Sequence, residues 1–492
     1  MIPSEIRFLF SSNHAFVDAS STGRNFSYAH LWTYKEHLSH RINELDIASE
    51  QVILIQSNRT DELCLTIAAL FLCEQAFCVV DTYVNENNLK QLANKHRFHR
   101  IWDEPFISNE ITKSSVLRSK PSLETISISF HPKHEVFGYL FTSGSTGEAS
   151  LIPLRYSQLI AATKNSENFI SLSPNQTWGI PLSFHHIGAL SVLLKCMLWG
   201  SAISLSSGSD YERWNRWLSG DSTCRIISLV PTQLHHWLAH NKQNAISVDP
   251  SKNFGYVLLG GGPSNALDIQ EAIQMNWPIM LSYGMTETFA HVSSGDAYEL
   301  DSIQKFSVST PLPVGRLDHS LSLDLRSDGR DSIIWLKGDQ IVRPDSRTAP
   351  LHDRFDEEGW FCTGDIGELD KNGNLVIHAR RSDRIVSGGE NVAPKRVQDV
   401  LLKSPSVKDV HIFGKDDPVW GQKVVAVIQL HEEKGSQLTT NTKQVIQSLT
   451  DYCKKELPTS HIPKEIQIVS TIPRTTLGKI RWVEFQNILN KA

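Results

Sequence analysis

Short glycine-bearing stretches carry the side chains best suited to chemistry. Thr142-Ser143-Gly144-Ser145-Thr146-Gly147 offers hydroxyls at Ser143, Ser145 and Thr146, with two glycines that let backbone N–H groups approach an anion. A nest of this kind holds phosphate without side-chain charge. It has no lysine, so it is not the GxxxxGK[ST] phosphate loop, and a flexible surface turn would have the same composition. Tyr283-Gly284-Met285-Thr286-Glu287 sets a hydroxyl beside a carboxylate. A carboxylate aimed at phosphate makes sense with Mg2+ between them, whereas a solvated helix-start Glu needs no ligand at all. Gly260-Gly261-Gly262-Pro263 implies the close approach of something flat or bulky, a purine or an acyl chain, or else a tight turn. Thr363-Gly364-Asp365 reads as a turn or as an aspartate for the two ribose hydroxyls. Lys479 closes Pro473-Arg474-Thr475-Thr476-Leu477-Gly478-Lys479 and, taken by itself, is a surface lysine.

What could bring these together is a set of strands. Apolar runs end in the loops that carry the unusual residues: Tyr139 to Phe141 before the hydroxyl loop, and Trp178 to Leu182 before Ser183-Phe184-His185-His186. Ile226 to Val230 precedes Pro231-Thr232, Tyr256 to Leu259 opens onto the glycines, and Ile279 to Ser282 opens onto Tyr283. In open α/β sheets ligands bind beyond the carboxyl ends of the strands. The order Gln51–Ile55, helix Leu63–Leu72, Phe77–Val80 is a βαβ signature. The expected fold is therefore α/β, a large N-terminal domain of parallel-rich sheets covered by helices. Residues 102 to 134 read as a polar, irregular surface excursion. After Arg380-Arg381-Ser382-Asp383 the pattern changes: a helix at Gln398–Lys403, strands at Val407–Ile412, Val424–Leu430 and Ile466–Val469, and a helix at Val445–Leu457. These could close as a small α+β C-terminal domain of about 110 residues, giving domains of 1–381 and 382–492.

Composition narrows the function classes. The chain has 492 residues, 40% of them hydrophobic, a formal charge of −5 and a pI near 6.5. No basic face for nucleic acid follows from that balance. No stretch approaches the ~18 apolar residues of a membrane span; the longest candidate, Leu65 to Val80, is broken by Glu74 and Gln75. The N-terminus lacks the basic and apolar regions of a signal peptide. Seven cysteines at irregular spacings, none as CxxC, read as free thiols in a reducing cytoplasm.

In order and spacing, these segments resemble the adenylate-forming enzymes: acyl-CoA synthetases, luciferases and peptide-synthetase adenylation domains. The resemblance runs from Phe26-Ser27-Tyr28 to Gly478-Lys479-Ile480-Arg481 and includes Arg380 to Pro394 and Gly414 to Gln422. Within the family, Leu258 to Pro263, Ser282 to Thr288 and Arg380 to Asn391 look most like 2-succinylbenzoate–CoA ligases of menaquinone and phylloquinone synthesis. The resemblance implies an acid–thiol ligase using ATP, Mg2+ and CoA on a small carboxylic acid. It implies that Thr142 to Gly147 hold the β- and γ-phosphates, Thr286 the α-phosphate, and Glu287 the Mg2+. Gly260, Gly261, Gly262, Tyr283 and Gly284 would enclose the adenine, while Asp365 and Arg380 would hold the ribose. Lys479 would bridge carboxylate and α-phosphate, and His185 would border the acyl pocket. The C-terminal domain would be mobile about Ser382, exchanging Lys479 for a Gly388-Gly389 face along the CoA tunnel.

Other readings remain in view: a different aryl- or fatty-acyl-CoA ligase, an adenylation enzyme loading a carrier protein, or an inactive homologue. The presence of Lys479, Glu287, Asp365 and Arg380 speaks against the last. Ser150 departs from the family, which usually has a lysine at the end of this loop. Its loss predicts a raised KM for ATP with the chemistry retained. Ser150→Lys should lower that KM, and unchanged ATP kinetics in the variant would refute the idea.

Overall fold

The helix Thr60–Leu72 is buried around almost its whole circumference, from Asp61 to Leu72. That is why Leu63 to Leu72 shows no polar face, and it makes the apolar run a core helix. Asp61 and Glu62 sit in its first turn, where negative charge suits the helix dipole. The run then turns at Glu74, with φ of 56°, into the buried strand Phe77–Val79. In this computed structural model the described residues are 6–489, apart from 12–14, 20–23, 59, 83, 115–124, 131, 133, 143–149, 171, 175, 221–222, 296–297, 299–310, 328–331, 382–384, 388–389, 393, 432–441 and 475–479. Among them, no helix is long and apolar enough to cross a membrane.

The expected α/β architecture is present. A nine-stranded sheet has a parallel centre in which Ile279–Tyr283, Tyr256–Leu259, Cys224–Leu229, Thr177–Ile180, Ala202–Leu205 and Ala15–Ala19 are successive neighbours. A five-stranded sheet aligns Arg100–Trp102, Ile53–Ile55, Phe77–Val79 and Val136–Thr142 in parallel and adds Ser150–Arg155 antiparallel at the edge. Helices Tyr28–Glu44, Thr60–Leu72 and Ile187–Trp199 bury side chains in the core that the two sheets share. A four-stranded antiparallel sheet, Ser322–Ser327 to Leu375–Arg380, carries the Thr-Gly-Asp segment on its strand Phe361–Leu369.

The smaller C-terminal domain has its own sheet, with Gly421–Leu430 paired antiparallel to Val407–Asp417 and parallel to Glu465–Val469. Helices Pro394–Leu402 and Thr442–Glu456 pack on it around Val410, Ile428, Leu449 and Cys453. The first of these starts four residues earlier than its apolar pattern, because a proline at the first helical position is already set at a helical φ.

Residues 102 to 134 are not the irregular excursion expected. They contain the helix Glu104–Lys113, capped by Asp103, and the strand Thr125–Phe130, which pairs antiparallel with Ile6–Ser11. Thr125 to Phe130 alternates with period two, but its partner Ile6–Ser11 lies near the N-terminus, with several helices and strands in between, so the alternation had no visible counterpart nearby. All seven cysteines are free, and five are buried.

One packing cluster deserves a test because it supports the strands that frame the site. Trp214, Trp217, Trp237 and Trp277 are buried together behind Cys224–Leu229 and Tyr256–Leu259. The Trp237 and Trp277 rings lie 4.2 Å apart, and Trp237 Nε1 donates to Asn215 Oδ1 at 2.8 Å. Trp237→Ala should destabilise the fold by about 3–5 kcal/mol, read as a lower midpoint in urea unfolding; a wild-type midpoint would refute this packing account.

Candidate active site

The carboxyl ends of the parallel strands open into one cavity of about 1080 Å³. Its wall contains Thr142, Gly260, Gly261, Gly284, Thr286, Glu287 and Arg380. Residues from four separate stretches of sequence thus face one space. Thr142 and Ser150 end paired strands and stand opposite each other in the register. Ser143 to Gly147, Gly388, Gly389 and Lys479 lie outside the described residues.

Several glycines have reasons that lie in the chain itself. A Cβ on Gly284 would sit 1.3 Å from the Ala290 carbonyl oxygen, so only glycine fits. That carbonyl is delivered by two consecutive residues at positive φ, Phe289 at 52° and Ala290 at 78°, a strained pair beside the cavity. A Cβ on Gly260 would fall 2.6 Å from Ser282 Oγ, and Gly261 has φ of 78°. The close approach that the triple glycine implied is therefore made by the neighbouring strand at Gly260 and by backbone conformation at Gly261. Gly262 has only ordinary contacts.

Tyr283 and Asp365 form a unit. The Tyr283 hydroxyl donates to Asp365 Oδ2 at 2.7 Å, and Arg380 Nε lies 3.3 Å from Asp365 Oδ1. Burial pushes the Asp365 carboxyl above the usual range and Arg380 opposes that rise. Burial, with the Asp365 charge adding to it, drives the Tyr283 phenol well above its ordinary value. The phenol is therefore a donor and stays one.

Glu287 is buried, with 6% of its surface exposed, and its Oε1 pairs with Arg354 Nη1. Arg354 also donates through Nε and Nη2 to the Cys362 carbonyl, at 3.1 and 3.0 Å, and through Nη2 to the Thr363 carbonyl at 2.8 Å. Its guanidinium lies 4.4 Å from the Phe361 ring centroid. Among the described residues no group of three or more His, Cys, Asp or Glu side chains is placed to hold a metal by itself. One carboxylate whose second oxygen has no partner among the described residues, next to the Thr286 hydroxyl on the cavity wall, instead suits a hard cation that takes its other ligands from phosphate and water.

Another part of the wall is largely apolar. Ile170, Trp178, Leu182, Ile187 and Val192 line it, and the helix Ile187–Trp199 brings Lys195 into it. Lys195 is 3% exposed, and its Nζ donates to Ser166 Oγ at 2.7 Å. Among the described residues no carboxylate lies within ion-pairing distance of it. Burial lowers its pKa to about 7, with Cys196 opposing slightly. Burial, and secondarily the Lys195 charge, hold the neighbouring His291 down at about 3, so that imidazole is neutral. His185, expected at the acyl pocket, turns Nε2 toward Asp81 Oδ2 at 3.3 Å, while its neighbour His186 lines the cavity.

Lys195, Arg354 and a pair of buried amides are the functional candidates that motif reading missed. Gln158 Nε2 donates to the Glu287 carbonyl at 3.2 Å, and Gln340 Nε2 to those of Thr288 and His291 at 3.0 and 2.7 Å. Only Lys195 left a trace in the sequence: a lone charge in the apolar run Ile187 to Trp199. Removing Arg354 would strand a buried carboxylate, so Arg354→Ala should cost about 3 kcal/mol of stability, measured by thermal unfolding. An unchanged melting curve would show that the pair carries no weight.

Residues 10–318 match the model of the AMP-binding enzymes, and residues 396–479 match that of the AMP-binding enzyme C-terminal domain. A curated relative, the 2-succinylbenzoate–CoA ligase of Listeria innocua, is 30% identical over 342 residues, covering 70% of this chain and 68% of that protein. The enzyme of the same name from Bacillus cereus is 26% identical over 466 residues, covering 93% and 91%. In fold, the chain is similar to the solved o-succinylbenzoate CoA synthetase of Bacillus subtilis in complex with its acyl-adenylate intermediate. That likeness has a TM-score of 0.77 at 22% identity, over 97% of this chain and 96% of that one. The same synthetase with ATP and magnesium ion gives a TM-score of 0.76, also at 22% identity and the same coverage.

Proposed function

The chain belongs to the AMP-binding enzyme family, and from that membership we propose that it is an ATP-dependent acid–CoA ligase whose acid is 2-succinylbenzoate. A substrate carboxylate oxygen attacks the α-phosphorus of ATP, and the bond to pyrophosphate breaks. The CoA sulfur then attacks the acyl carbon of the mixed anhydride and AMP leaves. Carboxylates are poor acyl donors to a thiol, and the adenylate supplies the leaving group that splits one hard step into two easier ones.

In this reading the backbone and hydroxyls of Thr142 to Gly147 hold the outer phosphates, and Thr286 contacts the α-phosphate. Glu287 would hold Mg2+, which would offset the phosphate charge. Gly260 to Gly262, Tyr283 and Gly284 enclose the adenine. Asp365, oriented by Tyr283 and Arg380, accepts the ribose hydroxyls. Lys479 stabilises the charge that develops as the carboxylate meets the α-phosphate, the kind of preorganised electrostatics that dominates many rate enhancements. His185 is assigned to the border of the acyl pocket, next to His186, which lines the cavity. We assign residues 1–381 to the adenylation domain and 382–492 to a mobile domain that turns about Ser382, bringing Gly388 and Gly389 to the CoA path. The free cysteines suit a reducing cytoplasm.

The observation that supports this acid is Lys195. Curated relatives are named for a diacid, 2-succinylbenzoate. The succinyl carboxylate is consumed in the reaction and the aryl carboxylate is not, so the latter needs a cation inside the pocket. Among the described residues Lys195, buried, has no carboxylate within ion-pairing distance, and the flat Trp178 ring lines the same cavity. An unpaired buried ammonium is costly and is relieved by a bound anion.

A panel of 2-succinylbenzoate, aryl monoacids and medium-chain fatty acids, scored for CoA-dependent AMP release, tests the reading. The diacid should dominate; equal turnover of a monoacid, or AMP release indifferent to CoA, would overturn it. Lys195→Met should raise KM for the diacid roughly 30-fold, the equivalent of about 2 kcal/mol. The pH dependence has a definite sign. With its pKa at about 7, the free-enzyme Lys195 is charged below that pH and neutral above it. KM for the diacid should therefore rise about tenfold per unit above pH 7 in the wild type and stay flat in Lys195→Met. A pH-independent wild-type KM would dissociate Lys195 from acid binding.

A further inference from the structure

Ser150 leaves the loop that begins at Thr142 without a lysine, and a nucleotide triphosphate carries its highest charge at its outer phosphates. Most cations on the cavity wall are committed elsewhere. Arg354 is tied to Glu287 and to the carbonyls of Cys362 and Thr363, Arg380 lies on Asp365, and Lys195 sits on the buried apolar wall. Lys95 and Arg347 also line the cavity, together with Thr142 and Ser150, and both are exposed. Among the described residues neither has a carboxylate within ion-pairing distance.

Both are anchored to the strand that ends at Thr142. Lys95 is the last residue of the helix Glu86–Lys95. The next residue, His96, sets its ring edge-on to Phe141 at 5.3 Å and stacks on Phe98 at 5.7 Å. Burial lowers the His96 pKa, and Lys95 adds to that, so His96 serves as an anchor and not as a charge. Arg347 donates through Nη1 to the Tyr139 hydroxyl at 3.0 Å, with its guanidinium 5.6 Å from that ring centroid. The same hydroxyl donates to Asp345 Oδ2 at 2.7 Å. Tyr139 and Phe141 are two residues apart on one strand and so share a face. The two cations therefore stand at the same end of the same strand. On its other side Arg347 meets a smaller cavity of about 200 Å³ that also includes Glu50 and Glu135.

We propose that Lys95 and Arg347 supply the positive charge for the outer phosphates of ATP that Ser150 does not, a role that rests on reading this cavity as the nucleotide site. A lysine carried on the loop is replaced by two cations brought in by packing, one from a helix end and one from the turn after residue 344. Such a pair acts on the β- and γ-phosphates and leaves the α-phosphate to Thr286. It follows that the pair distinguishes ATP from AMP.

Equilibrium binding of ATP and of AMP to the full chain tests this. Lys95→Gln and Arg347→Gln should each weaken ATP about fivefold, as expected for loss of one solvent-facing charge contact, and together about 25-fold. AMP affinity should remain within about twofold, which also reports that the variants are folded. Adding Ser150→Lys to the double variant should restore most of the ATP affinity, with a larger gain than Ser150→Lys gives alone. ATP binding as tight in the double variant as in the wild type would overturn the inference, as would equal losses for ATP and AMP. Failure of the wild type to bind either nucleotide would instead overturn the nucleotide-site reading beneath it.

Discussion

The site depends on a single guanidinium. Arg354 joins the segment between strands Ile279–Tyr283 and Ser293–Ser294 of the nine-stranded sheet to the four-stranded sheet, donating to Glu287 on one side and to the carbonyls of Cys362 and Thr363 on the other. Arginine suits this task because its planar fork presents several donors in fixed directions and stays charged, whereas lysine offers one point charge on a flexible stem. The Phe361 ring beneath the guanidinium fixes its plane. With Arg354 in place, Glu287 and the Thr-Gly-Asp strand cannot shift independently. Tyr283, Asp365 and Arg380 make a second tie across the same junction. Two sheets that share an apolar cluster of Tyr283, Val292, Ile334, Leu336 and Phe361 are thus also registered by charge-assisted bonds, which are directional where apolar contact is not.

That registration produces a cavity with two electrical environments. At one end, exposed cations on flexible stems face solvent. At the other, Lys195 is enclosed by apolar side chains, and its pKa falls to about 7 because water is excluded. An ammonium in such surroundings discriminates strongly, because a monoacid leaves it unpaired while a diacid does not. His291, held neutral by the same burial, adds no competing charge. In the proposed function, selectivity for the acid and grip on the nucleotide are therefore assigned to separate walls, joined where the α-phosphate and the reacting carboxylate would meet.

Much of this was legible residue by residue. The strand-then-loop grammar placed Gly260, Gly284, Thr286 and Glu287 at strand exits, and the cavity wall contains all four. The βαβ pattern around Ile53–Ile55 and Phe77–Val79 gave the parallel part of the five-stranded sheet. What misled was local polarity. Residues 102 to 134 looked irregular because a short capped helix and an edge strand with a distant partner carry little signal in a polar stretch. The glycine triplet looked like a ligand's footprint, yet Gly260 answers first to Ser282 Oγ. Arg354, Gln158 and Gln340 were invisible because an isolated polar residue is ordinary in sequence and becomes informative only once its burial and partners are seen.

The sequence by itself determined the α/β class, the order of the chemical segments and the family, because strand periodicity and motif spacing are properties of consecutive residues. Only the tertiary structure decided which charges are committed and which are available. Ion pairing and desolvation depend on distance and burial between residues far apart in the chain: Arg354 is 67 residues from Glu287, and Arg347 is 208 from Tyr139. The same dependence separates Lys195, an unremarkable lysine in sequence, from the buried cation it becomes when helix Ile187–Trp199 packs against Ser166.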